Sequence, residues 1–434
     1  MVYKIIVGRN EDDRKKFGDA GTIFLGKHYV KMGQTVSLST PVYLDVNTSH
    51  VVLISGKRGA GKSHSLGSIA EEMVRLPEDV ANNLAVLMFD TMGIFWTMKY
   101  PNRQQEKLLE QWNLKPEGMD VTIYVPEGHF NDYKNKGIPV DKPFSLRTSE
   151  LTAADWCSVF NVDAQSDKGI LIQRALRDLS GSYSLHDIID TVKRDAKADH
   201  KTRDAVESLF LAAEQWGLFS RTGIVIDSLV SRGTTTILDL SPYTETSGSW
   251  SIKALVVGLV SRKLLHQRIA SRKEEEITNI ETEGKFFTEE NLQEKPLIWV
   301  LLDEAHELLM KEGTTPATDA LVQILREGRQ PGISLILETQ QPGEIHKDVL
   351  TQTDIVISHR LTSKIDLAAL NAMMQSYQYS NIQTLMNDLP RLRGAALVLD
   401  DNSERIYPLQ IKPKRSWHGG SSPNALKLKK VLAL

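Results

Sequence analysis

The feature that most constrains this 434-residue chain is the octet Gly56-Lys57-Arg58-Gly59-Ala60-Gly61-Lys62-Ser63. It fits GxxxxGK[ST] and lies between an apolar run, VVLIS, and a segment with apolar residues at helical spacing, SHSLGSIAEEMVRL. Strand, glycine turn and helix in that order form a phosphate cradle: the glycines let successive backbone N–H groups face inward, and the helix N-terminus adds a favourable dipole. The expected contacts run through Gly59, Ala60, Gly61, Lys62, Ser63 and His64, with Lys62 bridging the β- and γ-phosphates of ATP and Ser63 offering its hydroxyl to Mg²⁺. Such a unit belongs in an α/β fold with a mostly parallel sheet.

The rest of the chain divides around this unit. Residues 1–48 carry short β-branched segments (YKIIV, GTIFL, TVSL, VYLDV) separated by Gly, Asp and Asn, which predicts a small N-terminal β-barrel. Residues 49–411 read as the motor: strands at VVLIS, LAVLMFD, TTTILDLS, LIWVLLD, GISLILET and DIVISHRL, interrupted by a largely helical insertion over about 100–230. The helix near 251–271 is followed by EEEITNIETEGKFFTEENLQEK, read as an exposed loop, and GAALVLDD with ERIYPLQI reads as a closing hairpin. Residues 412–434 form a basic tail with a short apolar end, expected to brace an adjacent subunit.

Charge and cysteine content exclude several classes. Lys plus Arg is 52 against 55 acidic residues, a balance of −3, so any nucleic-acid contact must be local. Cys157 is the only cysteine, which excludes an intramolecular disulfide and a cysteine zinc site. The apolar runs are too short to span a bilayer, and the expectation is a cytoplasmic protein with no membrane association.

A second cluster of chemistry follows Pro296. The run LIWVLL ends in Asp303-Glu304, two carboxylates at the tip of a buried strand: Asp303 suits Mg²⁺ and Glu304 suits the attacking water. Trp299 within the run is read as core. The sequence continues Ala305-His306, but the sheet pattern stops about 130 residues later, too little for the second motor domain of a DEAH-box helicase. Leu179-Ser180-Gly181-Ser182 lies too far upstream for an ABC signature and reads as a turn. The next strand ends in Glu338-Thr339-Gln340, where the Gln340 amide is placed to sense a phosphate. Arg326 and Arg329 precede that strand, and either would suit a charge-stabilising finger in a neighbouring subunit's site.

Taken together, HVVLISGKRGAGKSHS, LDEAH, ILREGRQPGISLILETQQP and DIVISHRLTSKIDLAAL resemble the HerA/FtsK superfamily of DNA-pumping ATPases, HerA being the closer relative. The resemblance extends to GTIFLGKHYV in the opening segment and is weak over 100–230. It implies a RecA-like P-loop NTPase core, ATP and Mg²⁺ as ligands, and a homo-hexameric ring with double-stranded DNA in its channel. It further implies a separately encoded partner, NurA-like nuclease, sirtuin-like or other effector, in DNA-end processing or anti-phage defence. Carried over by motif, Lys62, Glu304, Gln340 and Arg329 are catalytic, Ser63 and Asp303 hold the metal, and Arg326 and Arg360 compete with Arg329 as the trans finger. Thr91-Met92-Gly93-Ile94-Phe95-Trp96 departs from the family's usual continuation after Asp90, and Gln341 stands where FtsK has arginine. Lys99, Arg103 and Lys107 read as a solvated helix face rather than a DNA contact. The competing readings are a secretion-system ATPase that pumps protein and a nucleotide-gated assembly scaffold.

Overall fold

In the computed structural model, residues 4–32, 35–245, 249–283, 295–373 and 382–420 are described. The strands are β1 (Ile5–Val7), β2 (Thr22–Met32), β3 (Thr35–Asp45), β4 (Val51–Ser55), β5 (Leu84–Asp90), β6 (Thr122–Pro126), β7 (Lys142–Phe144) and β8 (Leu146–Arg147). They continue as β9 (Phe219–Ser220), β10 (Thr235–Asp239), β11 (Leu297–Leu302), β12 (Ile333–Thr339), β13 (Ile355–His359), β14 (Ala395–Asp400) and β15 (Arg405–Ile411). Thirteen of them form one sheet in the order β1-β3-β2-β15-β14-β13-β4-β12-β11-β5-β10-β6-β7, and β8 pairs with β9 apart from it. From β13 to β7 every neighbour is parallel. The chain therefore leaves β4, β12, β11, β5 and β10 on one common edge, where an α/β sheet places its ligands.

The apolar runs form strands because both faces of the sheet are covered. Along β11, Ile298, Val300 and Leu302 enter one core and Trp299 and Leu301 the other; Leu53 of β4 faces the first core, Val52 and Ile54 the second. This period of two on a run without polar interruption is the pattern of a buried parallel strand. The P-loop helix, Lys62–Val74, lays Leu66, Ile69, Ala70 and Met73 on the second face. The long helix Ser249–Glu283 lays Ile252, Leu255, Val256 and Leu259 on the first.

Three expectations change. The N-terminal strands do not fold back into a separate barrel: β2 pairs antiparallel with β15 (His28 opposite Leu409), and Ile5, Val7, Ile23, Leu25, Val42 and Leu44 share the core of the P-loop helix. Two ionic contacts tighten that junction, with Arg9 bonded to Asp45 at 2.5 Å and His50 Nδ1 to Asp354 at 2.6 Å. The stretch 100–230 does contain the helices Ala153–Val159, Asp167–Arg177, Leu185–Arg194 and His200–Glu214, yet it also supplies β6 and β7 to the sheet. The helix expected to end near 271 runs to Glu283, so the first part of the polar segment is helical; 284–294 lie outside the described residues. Its polar continuation is held by Arg268 on Glu275 at 3.2 Å and by Arg272 on Glu275 and Glu276, pairs spaced for a helix. The β14–β15 hairpin, the turn at Gly181 and the buried Trp299 are as expected.

The tail also differs in part. Residues 412–420 pack on this same chain: Lys412 Nζ, the backbone N–H groups of Arg415 and Ser416 and the Ser416 hydroxyl all donate to Glu71 on the P-loop helix, at 2.7–3.0 Å. Residues 421–434 lie outside the described residues. Among the described residues no helix is long and apolar enough to cross a membrane.

Candidate nucleotide-hydrolysis site

The P-loop rises from β4 and turns at Gly59 (φ 76°) and Gly61 (φ 115°), backbone conformations that a side chain resists. Gly61 caps the P-loop helix with no side-chain bond to its first N–H groups, leaving those donors for a ligand. Beside it, Lys62 Nζ is buried, 3.9 Å from Glu338 Oε1, and Ser63 Oγ donates to the same oxygen at 3.0 Å. Burial lowers the ammonium's pKa while the Glu338 and Glu304 carboxylates oppose that.

Four adjacent strands end in carboxylates at this edge: Glu338 in β12, Asp303 and Glu304 after β11, Asp90 in β5 and Asp239 in β10. Both oxygens of Asp303 accept from the Thr91 N–H, at 3.0 and 3.1 Å. Burial, reinforced by Glu338, raises the Asp303 carboxyl above its ordinary range; burial likewise pushes Glu338 up to about 7, with Lys62 opposing. Asp90 accepts from the N–H groups of Gly93, Ile94 and Phe95, so the loop Thr91–Trp96 is folded around its carboxylate. Lys253, from the long helix, donates to Thr91 O at 2.8 Å and brings the counter-charge to the row.

Glu304 stands in the left-handed region (φ 44°, ψ 42°), strain of the kind that persists where the surroundings dictate a position. Gln340 Nε2 donates to its Oε1 at 2.5 Å, which aims the carboxylate along the edge. Its Oε2 is buried without a hydrogen bond, facing His306 Nδ1 at 3.6 Å, also unbonded. Thr91 Oγ1 and Glu338 Oε2 are orphaned nearby. Buried polar atoms left open in this way suit a site whose partners are phosphate oxygens, water and a cation.

The structure thus brings Gly59, Ala60, Gly61, Lys62, Ser63, Asp303, Glu304 and Gln340 to one edge. His64 is near by chain, but its ring accepts from the Lys414 N–H at 3.3 Å and lies 5.5 Å from the His418 ring. Arg329 is not with them. It lies in the turn before β12, on the opposite edge of the sheet, the length of β12 or about 20 Å away at 3.3 Å per residue. It is exposed and makes no side-chain bond among the described residues, whereas Arg326 is tied to Asp348 at 2.6 Å and Arg360 to Leu389 O at 2.7 Å. Lys99 is likewise occupied, by Asp141 at 2.7 Å.

Sequence reasoning missed Glu338, Lys253 and His359. Glu338 was visible as an acid inside the apolar run ISLILET; Lys253 was hidden in a helical stretch. His359, ending β13, packs against Gly56 and bonds Ser65 at 2.9 Å; burial holds it down at about 4, neutral.

A parallel sheet of this order with a P-loop, a strand-end Asp-Glu pair and an amide sensor defines a P-loop ATPase. Residues 23–301 match the family model "Helicase HerA, central domain", and 285–402 match "Helicase HerA-like C-terminal". The chain belongs to the HerA family, within the HerA/FtsK superfamily of ATPases. It is 23% identical, over 94% of its length and 74% of the relative's, to the DNA double-strand break repair helicase HerA of Sulfurisphaera tokodaii. It is 22% identical, over 93% and 71%, to the probable helicase MJ1565 of Methanocaldococcus jannaschii. Among solved structures, VirB4 of Thermoanaerobacter pseudethanolicus shares the fold, with a TM-score of 0.54 and 13% identity over 91% of this chain and 97% of that one.

Proposed function

We propose that this protein hydrolyses ATP as a cytoplasmic homo-hexameric ring that drives double-stranded DNA through its channel and serves a separately encoded nuclease or other effector, in DNA-end processing or phage defence. The observation that carries the reading is the Gln340–Glu304 clamp on the same strand edge as Glu338, which accepts from Ser63 and lies 3.9 Å from Lys62 Nζ. Glu304 positions the attacking water and takes its proton; Gln340 links that carboxylate to the state of the terminal phosphate; Lys62 and the inward N–H groups bear the phosphate charge. Ser63 and Asp303 would hold Mg²⁺, with Glu338 behind them, and the ion would offset charge on the phosphate oxygens. The free guanidinium of Arg329, on the far edge from its own P-loop, suits action in a neighbour's site, and closing a ring with such head-to-tail contacts gives each site one finger.

The N-terminal strands are the proposed partner surface, with the charged helix Glu11–Phe17 exposed on them. Because these strands share the motor's core, partner capture is tested with Lys15→Glu and Lys16→Glu on the exposed helix, which leave the strands intact. The decisive experiment for the motor is the ATPase rate with and without duplex DNA. Stimulation by DNA is expected; turnover indifferent to DNA would favour the protein-pumping or scaffold reading.

A further inference from the structure

Across the P-loop from the carboxylates lies an open pocket of about 300 Å³, walled by Ala60 of the loop, Arg360 after β13 and the segment Leu389–Arg393 before β14. The segment is seated on the P-loop: Gly394 N–H donates to Ala60 O at 3.2 Å, Lys57 N–H to Arg360 O at 3.1 Å and Arg360 Nη2 to Leu389 O at 2.7 Å. Since β4 stands between β12 and β13, a triphosphate with its γ end at Lys62, Glu304 and Gln340 has its nucleoside end on this side.

The chemistry of the wall is one-sided. Its side chains are guanidinium and ammonium donors (Arg360, Arg391, Arg393, Lys57) and aliphatic groups (Leu389, Pro390, Leu392); among the described residues none lining the pocket has an aromatic or a hydrogen-bond-accepting side chain. Several wall carbonyls are already engaged: Ala60 O by Gly394, Leu389 O by Arg360, Leu392 O by Ala395 at 3.3 Å and Arg393 O by Gln410 Nε2 at 2.8 Å. Adenine is distinguished from guanine by an amino donor at position 6, which needs an acceptor; guanine presents O6 and N7 acceptors there, which guanidinium groups serve. Leu392, 65% exposed beside the loop, offers an apolar contact that any base accepts.

We infer that this pocket holds the nucleoside without reading its base, so that the protein takes GTP as well as ATP. The inference rests on the nucleotide-binding reading above. Sites that read a base or hydroxyl by built hydrogen bonds reject analogues by about 10⁴–10⁵, whereas apolar contact discriminates by about 10² or less. Guanidinium stacking on a purine face is likewise shared by both bases.

The test displaces N-methylanthraniloyl-ATP from the full-length protein with ATP, GTP and inorganic tripolyphosphate. ATP and GTP dissociation constants are expected to agree within about tenfold. An Arg391→Ala/Leu392→Ala variant is expected to weaken both by one common factor and leave tripolyphosphate unchanged, placing the nucleoside in this pocket. A difference between ATP and GTP of about a hundredfold or more, in either direction, overturns the inference while leaving the nucleotide-hydrolysis reading intact. A variant that weakens tripolyphosphate equally overturns the placement, and failure of the labelled ATP itself to bind overturns both readings.

Discussion

Glu71→Ala isolates what the C-terminal strap contributes to the P-loop helix. The Glu71 carboxylate is fully buried and accepts from Lys412 Nζ, Arg415 N–H, Ser416 N–H and Ser416 Oγ. Burial alone would raise its pKa, but Lys412 and Lys414 outweigh that and hold it below the ordinary range, so the carboxylate is charged in the folded protein. Removing one partner of a buried pair costs about 3–5 kcal/mol. Lys412 retains Glu72 at 3.0 Å, which moderates the loss, while two backbone N–H groups are left without an acceptor, about 1–3 kcal/mol each and not additive. A net destabilisation of about 3–5 kcal/mol follows. At about 2.1 cal/mol/K per residue, 434 residues give an unfolding entropy near 0.9 kcal/mol/K, so the melting temperature should fall by about 3–6 °C. Calorimetry measures the shift, and limited trypsinolysis at Lys414 and Arg415 reads release of the strap. Glu71→Leu with Lys412→Met, which removes both charges, should recover at least half the loss. A single variant that melts within 1 °C of the parent and keeps the strap protected would refute the reasoning.

Three further outcomes are expected. Lys62→Ala should weaken ATP binding, whereas Glu304→Gln should still bind ATP and lose turnover by about 10²-fold or more; normal steady-state turnover in Glu304→Gln would remove its role. Arg329→Ala and Lys62→Ala proteins, each inactive alone, should regain partial hydrolysis in mixed assemblies, and verified mixed rings without recovery would count against a finger acting in trans. His50 is raised from 6.5 to about 9 because the Asp354 and Asp45 carboxylates outweigh its burial. A raised pKa stabilises fully below pH 6.5 and loses its contribution, up to about 3 kcal/mol, as pH rises through 9; urea midpoints should fall over that window in the parent and not in His50→Phe.

The motor's strands were legible because burial on two faces demands continuous apolar runs, and LIWVLL or ISLILET can hardly be anything else. The P-loop was legible for a different reason: phosphate binding by backbone N–H groups forces glycine at fixed spacing. What sequence could not show was partnership. GTIFLGKHYV reads as a strand whether it closes a barrel or pairs with β15, because the choice is made by residues near 409. The polar stretch after 271 has no apolar stripe, and the Arg268 and Arg272 pairs that keep it helical carry no periodic signal strong enough to outweigh its loop-like composition. Glu338 and Glu71 read as ordinary acids until Ser63, Lys62 and the strap are placed around them.

The pairing of β2 with β15 also sets an order of assembly. His28 faces Leu409, about 380 residues later, so during synthesis at roughly 5–20 residues per second the β2–β3 hairpin waits on the order of 20–80 s for its neighbour. Throughout that interval one edge of β2 is an unpaired template, open to any extended chain, including the same segment on another nascent copy. Chaperone dependence in the cell, and recovery that falls as expression accelerates, would be the signature of a sheet whose early strands are completed only by its last one.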